Sequence, residues 1–443
     1  MGHGPDFTKA IESIPGRTVP GSVRMAALGL LAVGIAAGAY GFLTDFERAG
    51  GALITNFMYF NGIAVGGFML TPIAIITQSR WPRRLKRFSE ALGVFAPVTF
   101  LVYTVFLLAG GVNVYPWVAE NAAGELLAHK TAYLTPGFFI ARQIIGQGIL
   151  VVLALLMIRV SLRADLAHAK AHLGDKTPTG FPWSMYSNLG DPAEESERSL
   201  KNQWIIAPIF AICYAVLYTM IAVDVSMSLA PHWYANMFPA WVFMSSIWSG
   251  LVYIALFSLL CRDWLGVKEL LPSNVYHDLG KLTFAFCMFW GYTTFAQYLP
   301  IWYGNMTEEI GFILLRIATK PWQPIAQAVF LLCFLAPWTI LLSRGLKKIP
   351  SAYIAVSCVM AVGIWLERYL VNVPSIYADN VDPNFAAPFL IEIGMGLGFL
   401  GALILVVTSF LAKVPAATIA DPFMQPDPDH IHVVPSSQAH AHH

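Results

Sequence analysis

The sequence predicts an all-α integral membrane protein with ten transmembrane helices, and three observations carry that reading. Of 443 residues, 57% are hydrophobic and only 12% are charged, about half the charge of a soluble domain. Ten apolar runs are each long enough, at about 20 residues, to cross a hydrocarbon core. Lys and Arg are divided unevenly between alternate connections, as in multi-pass chains. The net charge of +1 offers no basic face for a nucleic acid, so that class of partner is excluded.

The runs span 25–43, 52–77, 92–112, 134–158, 204–229, 239–261, 278–302, 322–343, 350–373 and 385–411. Residues 1–24 are polar and contain Pro5, Pro15 and Pro20, unlike a cleavable signal, so insertion is expected to start at the first apolar helix. The membrane domain is read as 25–412. Its longest hydrophilic connection, 159–203, is expected as an extramembrane loop. The tail, 413–443, is rich in Pro, Asp and His and is expected to be extended or partner-bound. Most of the 27 Lys and Arg fall in the N-terminal segment, the even-to-odd connections and the tail. The largest group there is Arg80, Arg83, Arg84, Lys86 and Arg87. The opposite connections hold only Arg48, Lys130, Arg316 and Lys320, which predicts that both termini are cytoplasmic.

Ionisable residues inside such helices are costly and point to function. Asp224 falls about one turn from the outer end of helix 5, with His232 in the loop beyond it. Arg142 in helix 4 and Glu392 in helix 10 each fall about 12 Å in from the outer side, counted at 1.5 Å per residue. Glu367 and Arg368 occupy the outer half of helix 9. His277, Asp278 and Lys281 open helix 7 at the cytoplasmic face, and Asp278 and Lys281 are spaced to pair on one helical face. Together these residues form an outer layer and an inner gate, a pattern suited to a proton path. Burial raises a carboxylate pKa and a neighbouring Arg lowers it again, so such groups exchange protons near neutrality. The same residues also fit a purely architectural role: Arg142 or Arg368 paired with Glu392, and His277 to Lys281 as an interfacial helix start. His232, between Pro231 and Trp233, equally fits an interfacial anchor. In helix 2, Asn56, Tyr59 and Asn61 precede Gly62, Gly66 and Gly67, which are spaced for close helix approach. Helix 10 carries Gly394, Gly396, Gly398 and Gly401 after Glu392.

The chain carries no recognisable redox centre of its own. Haem across a helix bundle needs mid-helix histidines, and here the histidines fall in loops, tails or at helix ends. Cys213, Cys261, Cys287, Cys333 and Cys358 are single and read as buried small hydrophobes. There is no glycine-rich phosphate loop. The histidines of the tail, His430, His432, His440, His442 and His443, read as adventitious metal binders at most.

Three strings carry a family resemblance. They are Asp224-Val-Ser-Met-Ser-Leu-Ala-Pro-His-Trp-Tyr234, His277-Asp-Leu-Gly-Lys-Leu-Thr-Phe-Ala-Phe286 and Phe295-Ala-Gln-Tyr-Leu-Pro-Ile-Trp-Tyr303. Together they resemble the NrfD/PsrC superfamily of quinone-interacting membrane subunits, and within it the F subunits (ActF) of bacterial alternative complex III, a quinol:electron-acceptor oxidoreductase. The Asn56 to Asn61 stretch, Glu367-Arg368-Tyr369 and Val373-Pro374 extend the likeness over nearly the whole chain. Ala230 departs from the pattern, standing before Pro231 where an acid is expected.

The resemblance implies two four-helix bundles, helices 2–5 and 6–9, flanked by helices 1 and 10, in a bacterial inner (cytoplasmic) membrane. It implies no covalent cofactor in this chain, and haem c and Fe-S centres in multihaem cytochrome and Fe-S partner subunits. A homologous C subunit would hold the principal quinol site. For this chain it implies a membrane scaffold, set among lipid, with a candidate proton-translocation path, in a respiratory complex whose electron acceptor is of the cytochrome c type. Menaquinone or ubiquinone contact falls to Asn56, Tyr59 and Asn61. Two other functions fit the same sequence: the quinone-binding subunit of a molybdenum-type, polysulfide-reductase-like complex, and a secondary transporter.

Overall fold

The computed structural model describes residues 7–124, 126, 128–186, 188–377 and 389–424. Among them every regular element is a helix and none is a strand. Ten long helices are numbered α1 (Gly21–Thr44), α2 (Phe46–Ile76), α3 (Trp81–Leu108), α4 (Pro136–Leu173), α5 (Pro192–Ile221), α6 (Phe238–Cys261), α7 (Ser273–Gly304), α8 (Trp322–Leu342), α9 (Pro350–Ile376) and α10 (Phe389–Lys413). Nine of them are long and apolar enough to cross a membrane among the described residues. The tenth, α7, is as long at 32 residues but mixes Tyr, Thr and Gln into its aromatic run.

The helices form two rings of four, as expected. In the first, α2 packs on α3, α3 on α4, α4 on α5, and α5 returns to the second half of α2. The second closes in the same way through α6, α7, α8 and α9. The wall between them is α2, which lies against both α6 and α9, while α1 and α10 pair with each other along the outside of α2. Residues 7–20 and 414–424 meet at one end of the assembly. There Arg17 donates to the carbonyl of Val414 at 3.4 Å, and also to those of Leu411 and Leu265 at 3.2 Å each. This end is termed the near face and the opposite end the far face.

Bare glycine makes the wall possible. A Cβ built on Gly250 of α6 would lie 2.1 Å from the Cα of Gly67 in α2, and one on Gly34 of α1 would lie 2.2 Å from the Cα of Gly398 in α10. Backbones that close supply the dispersion contacts that hold helices together where lipid removes the hydrophobic driving force. Gly250→Val is therefore expected to push α2 and α6 apart and cost about 1–3 kcal/mol or more. Thermal unfolding in detergent reads this. Gly29→Ala, whose added Cβ meets nothing within 4 Å, is the matched control. Equal melting of the two variants would remove the glycine contact as a determinant of packing.

Several sequence expectations are corrected. The 159–203 loop is mostly helix: α4 continues to Leu173 and α5 begins at Pro192. Beyond Arg159, Ser161, Leu162, Asp165, Leu166 and Ala169 keep a buried stripe at helical spacing. The carboxylate of Asp191 caps α5, accepting from the amides of Ala193 and Glu194, with Pro192 at the first helical position. The basic group at 80–87 is not an open loop either. It is a 3₁₀ turn, Trp81–Leu85, running into helix, and it buries Arg83, Lys86 and Arg87. The α10 helix is described from Phe389 onward, and Glu392 within it is buried. The tail folds back through Asp421, and only its remainder, with the five tail histidines, lies outside the described residues. Of the cysteines, Cys287 and Cys333 are buried, Cys213 and Cys261 are half-buried, and Cys358 is exposed.

Three of the helical segments contain a π turn: Gly62–Gly66 within α2, Ala222–Ser226 directly after α5, and Phe330–Leu335 within α8. Such turns concentrate at functional positions because they push one residue out of helical register. The second carries Asp224.

Candidate functional site: buried charges at three depths

Toward the far face, the carboxylate of Asp224 accepts four hydrogen bonds. Arg142 Nε donates to Oδ2 at 3.1 Å and Nη2 to Oδ1 at 3.2 Å. The Tyr133 hydroxyl donates to Oδ1 at 2.9 Å, and Gln143 Nε2 to Oδ2 at 2.9 Å. The Arg142 guanidinium also lies over the rings of Tyr133 and Phe138, at 3.7 and 4.3 Å. The Tyr133 hydroxyl titrates only at about 12, raised first by burial and then by the Asp224 charge, so it stays a donor at neutral pH. Asp224 is fully buried and fully bonded, which makes this a fixed ion pair. A cavity of about 210 Å³ beside it is lined by His129, Lys130, Tyr133, Ser228, Trp233 and Tyr234, among others.

At mid-depth, where α9 meets α6 and α7, the arrangement is looser. Glu367 lies about 14 Å of helical rise from the end of α9 at Ile376. Its Oε1 accepts from Trp290 Nε1 at 3.4 Å and stands 3.7 Å from Arg368 Nη1. Its Oε2 has no hydrogen-bond partner among the described residues. Arg368 turns instead toward α6, donating to the Val242 carbonyl at 3.1 Å, Ser245 Oγ at 2.5 Å and Ser246 Oγ at 3.3 Å. Ser246 Oγ is in turn 3.1 Å from the Tyr218 hydroxyl of α5. A run of polar groups thus passes from the second ring into the first through the glycine-lined wall.

Glu392 pairs differently from the sequence expectation. Its partner is Arg48, with Nε 3.3 Å from Oε1, and not Arg142 or Arg368. Glu392 Oε2 has no hydrogen-bond partner among the described residues. Asn56 fixes the same turn by donating from Nδ2 to the Glu392 carbonyl at 3.0 Å, while its Oδ1 accepts from Trp365 Nε1 at 2.9 Å. Tyr59 donates to the Ala361 carbonyl at 2.7 Å, and Asn61 Oδ1 accepts from Thr99 at 3.0 Å. All three of these helix 2 residues are buried and bonded within the protein. His232 Nε2 lies 3.2 Å from Glu120 at the exposed far face. At the near face, Lys281 Nζ is 2.7 Å from Asp278 Oδ1, and His277 Nδ1 is 3.8 Å from the same carboxylate.

Sequence reasoning missed the third charged layer. At the near face Arg83, Lys86 and Arg87 of α3 are buried against Glu90, Asp165 and Asp421. Arg83 Nη1 is 2.8 Å from Asp421 Oδ2, and Arg87 bonds both Glu90 and Asp165. Lys86 Nζ donates to Gln203 Oε1 at 2.6 Å and stands 3.9 Å from both Glu90 and Asp421. The fold-back at 414–424 completes the layer: Thr418 bonds the Arg83 carbonyl, the Ala420 amide bonds Asp165, and Arg83 lies over Phe423. The signal was present in the i,i+4 spacing of Lys86 and Glu90 and in an acid, Asp165, standing in the apolar register of α4.

Fold and sites together define a multi-pass, all-α integral membrane protein with layers of buried charge. No family model matches the chain, and no curated protein matches it.

Proposed function

We propose that this chain is the membrane subunit of a respiratory quinol:electron-acceptor oxidoreductase, of the NrfD/PsrC superfamily and its ActF branch. In this reading it is a scaffold in the bacterial inner membrane, both termini cytoplasmic, bound to a homologous C subunit and to multihaem and Fe-S subunits. Its interior carries protons. Haem c, Fe-S centres and the principal quinol site belong to the partners.

The observation that supports proton carriage is the contrast between Glu367 and Asp224. Four donors bond the Asp224 carboxylate, whereas Glu367 keeps one long bond, one distant arginine and one oxygen with no hydrogen-bond partner among the described residues. A buried carboxylate with so few partners can change its bonding without breaking a tight ion pair, which is what a proton-carrying group needs. The hydroxyls of Ser245, Ser246 and Tyr218 extend from its neighbour Arg368 toward the first ring. In liposomes containing the native assembly, Glu367→Gln is expected to abolish the protons released beyond those that the quinol itself gives up. Quinol oxidation should continue. An unchanged proton yield would leave the chain a scaffold only. Flux of a solute through the purified chain alone would point instead to a secondary transporter.

A further inference from the structure

At the near face, α3, α4, α5 and the fold-back enclose a cavity of about 20 Å³ that borders Lys86, Ser161, Asp165, Ser196, Gln203 and Asp421. A polar space of that size holds one water molecule. Ser161 lines it with a hydroxyl that has no partner among the described residues, in a residue only 3% exposed. Helical spacing builds the walls: α4 contributes Ser161 and Asp165, and α5 contributes Ser196 and Gln203.

Two contacts extend this cavity in opposite directions. Outward, Ser196 Oγ is 2.8 Å from Nε2 of His168, which is partly exposed one turn along α4 from Asp165. Inward, Lys86 Nζ is 3.9 Å from Glu90 Oε1, a fully buried oxygen without a hydrogen-bond partner among the described residues. Imidazole is the side chain suited to exchanging protons with water near neutrality. The Ser196 hydroxyl donates to the Pro192 carbonyl at 2.8 Å and so accepts from His168, and it passes a proton on by turning its hydrogen from that carbonyl toward the cavity. Of the charged groups, Lys86, Asp165 and Asp421 line this space, and behind them Arg83 pairs with Asp421, Arg87 with Asp165 and Glu90, and Glu90 stands near Lys86. Glu90 is the one among these carboxylates with an unbonded buried oxygen.

We propose that His168, Ser196, one buried water at Ser161, Lys86 and Glu90 form the proton-uptake site of the near face. It stands in place of the His277, Asp278 and Lys281 group, whose side chains lie at the rim. The proposal rests on the proton-carriage reading, and its test separates the two. In liposomes bearing the native assembly, His168→Gln and Ser196→Ala are expected to lose the extra protons released per quinol, as Glu367→Gln does, while Asp278→Asn keeps them. If Glu367→Gln loses them and the His168 and Ser196 variants keep them, the uptake site is overturned and proton carriage stands. If Glu367→Gln keeps them, both fall. A high-resolution map of the wild-type assembly gives a readout independent of turnover. It should show water within hydrogen-bond distance of Ser161 Oγ, and an empty cavity there overturns the proposal.

Discussion

Replacing Asp224 with Ala should prevent a stable fold. The change strips the acceptor from Arg142 Nε and Nη2, the Tyr133 hydroxyl and Gln143 Nε2 together. An arginine left buried without its counter-charge costs about 3–5 kcal/mol, a large share of a typical folding free energy. Asp224→Asn should fall between wild type and Ala, because it keeps one carbonyl oxygen for Tyr133 or Arg142 while losing the charge. Thermal unfolding in detergent and the yield of intact protein give the measurement. A loss below about 1 kcal/mol for the Ala variant would mean that the pair contributes little and that Asp224 is free to take part in proton transfer.

Arg87→Ala should have an effect of similar size at the other end. Arg87 bonds both Glu90 and Asp165, and all three side chains are buried. Its removal leaves two carboxylates facing Lys86 alone, again about 3–5 kcal/mol. Adding Glu90→Gln and Asp165→Asn to Arg87→Ala should recover much of that loss, because it removes the uncompensated charges along with the arginine. Simple additivity in this cycle, measured by the same unfolding assay, would show that the residues do not form one network.

The fold was legible because bilayer crossing imposes a length and a composition that leave a direct trace in the chain. Apolar runs of about 20 residues located the ten helices, and the glycines of α2 and α10 marked where backbones would touch. Partner choice was less legible. Arg142 meets Asp224 and Glu392 meets Arg48 because of how whole helices rotate against one another, which periodicity within one helix does not encode. The near-face layer was hidden for a different reason. Hydropathy treats every Lys and Arg as a mark of the aqueous phase, so Arg83, Lys86 and Arg87 read as a loop. Ser161 and Asp165, which continue the buried stripe of α4, likewise read as its end.

The sequence separation of 338 positions between Arg83 and Asp421 has a consequence for biosynthesis. When α3 is inserted, its cations have no Asp421 or Asp165 to neutralise them, and uncompensated positive charge resists passage through a bilayer. They hold that turn on its own side while the later helices are threaded. Only when α4 has supplied one carboxylate, and the segment after α10 another, does the same turn become a dry ion pair. In the proposed orientation the residues that steer insertion are thus reused as a clasp, and the ribosome must deliver the last tooth of that clasp long after the first. Kinetic trapping before the fold-back docks should therefore leave a full-length, correctly threaded chain that is still open at its near face.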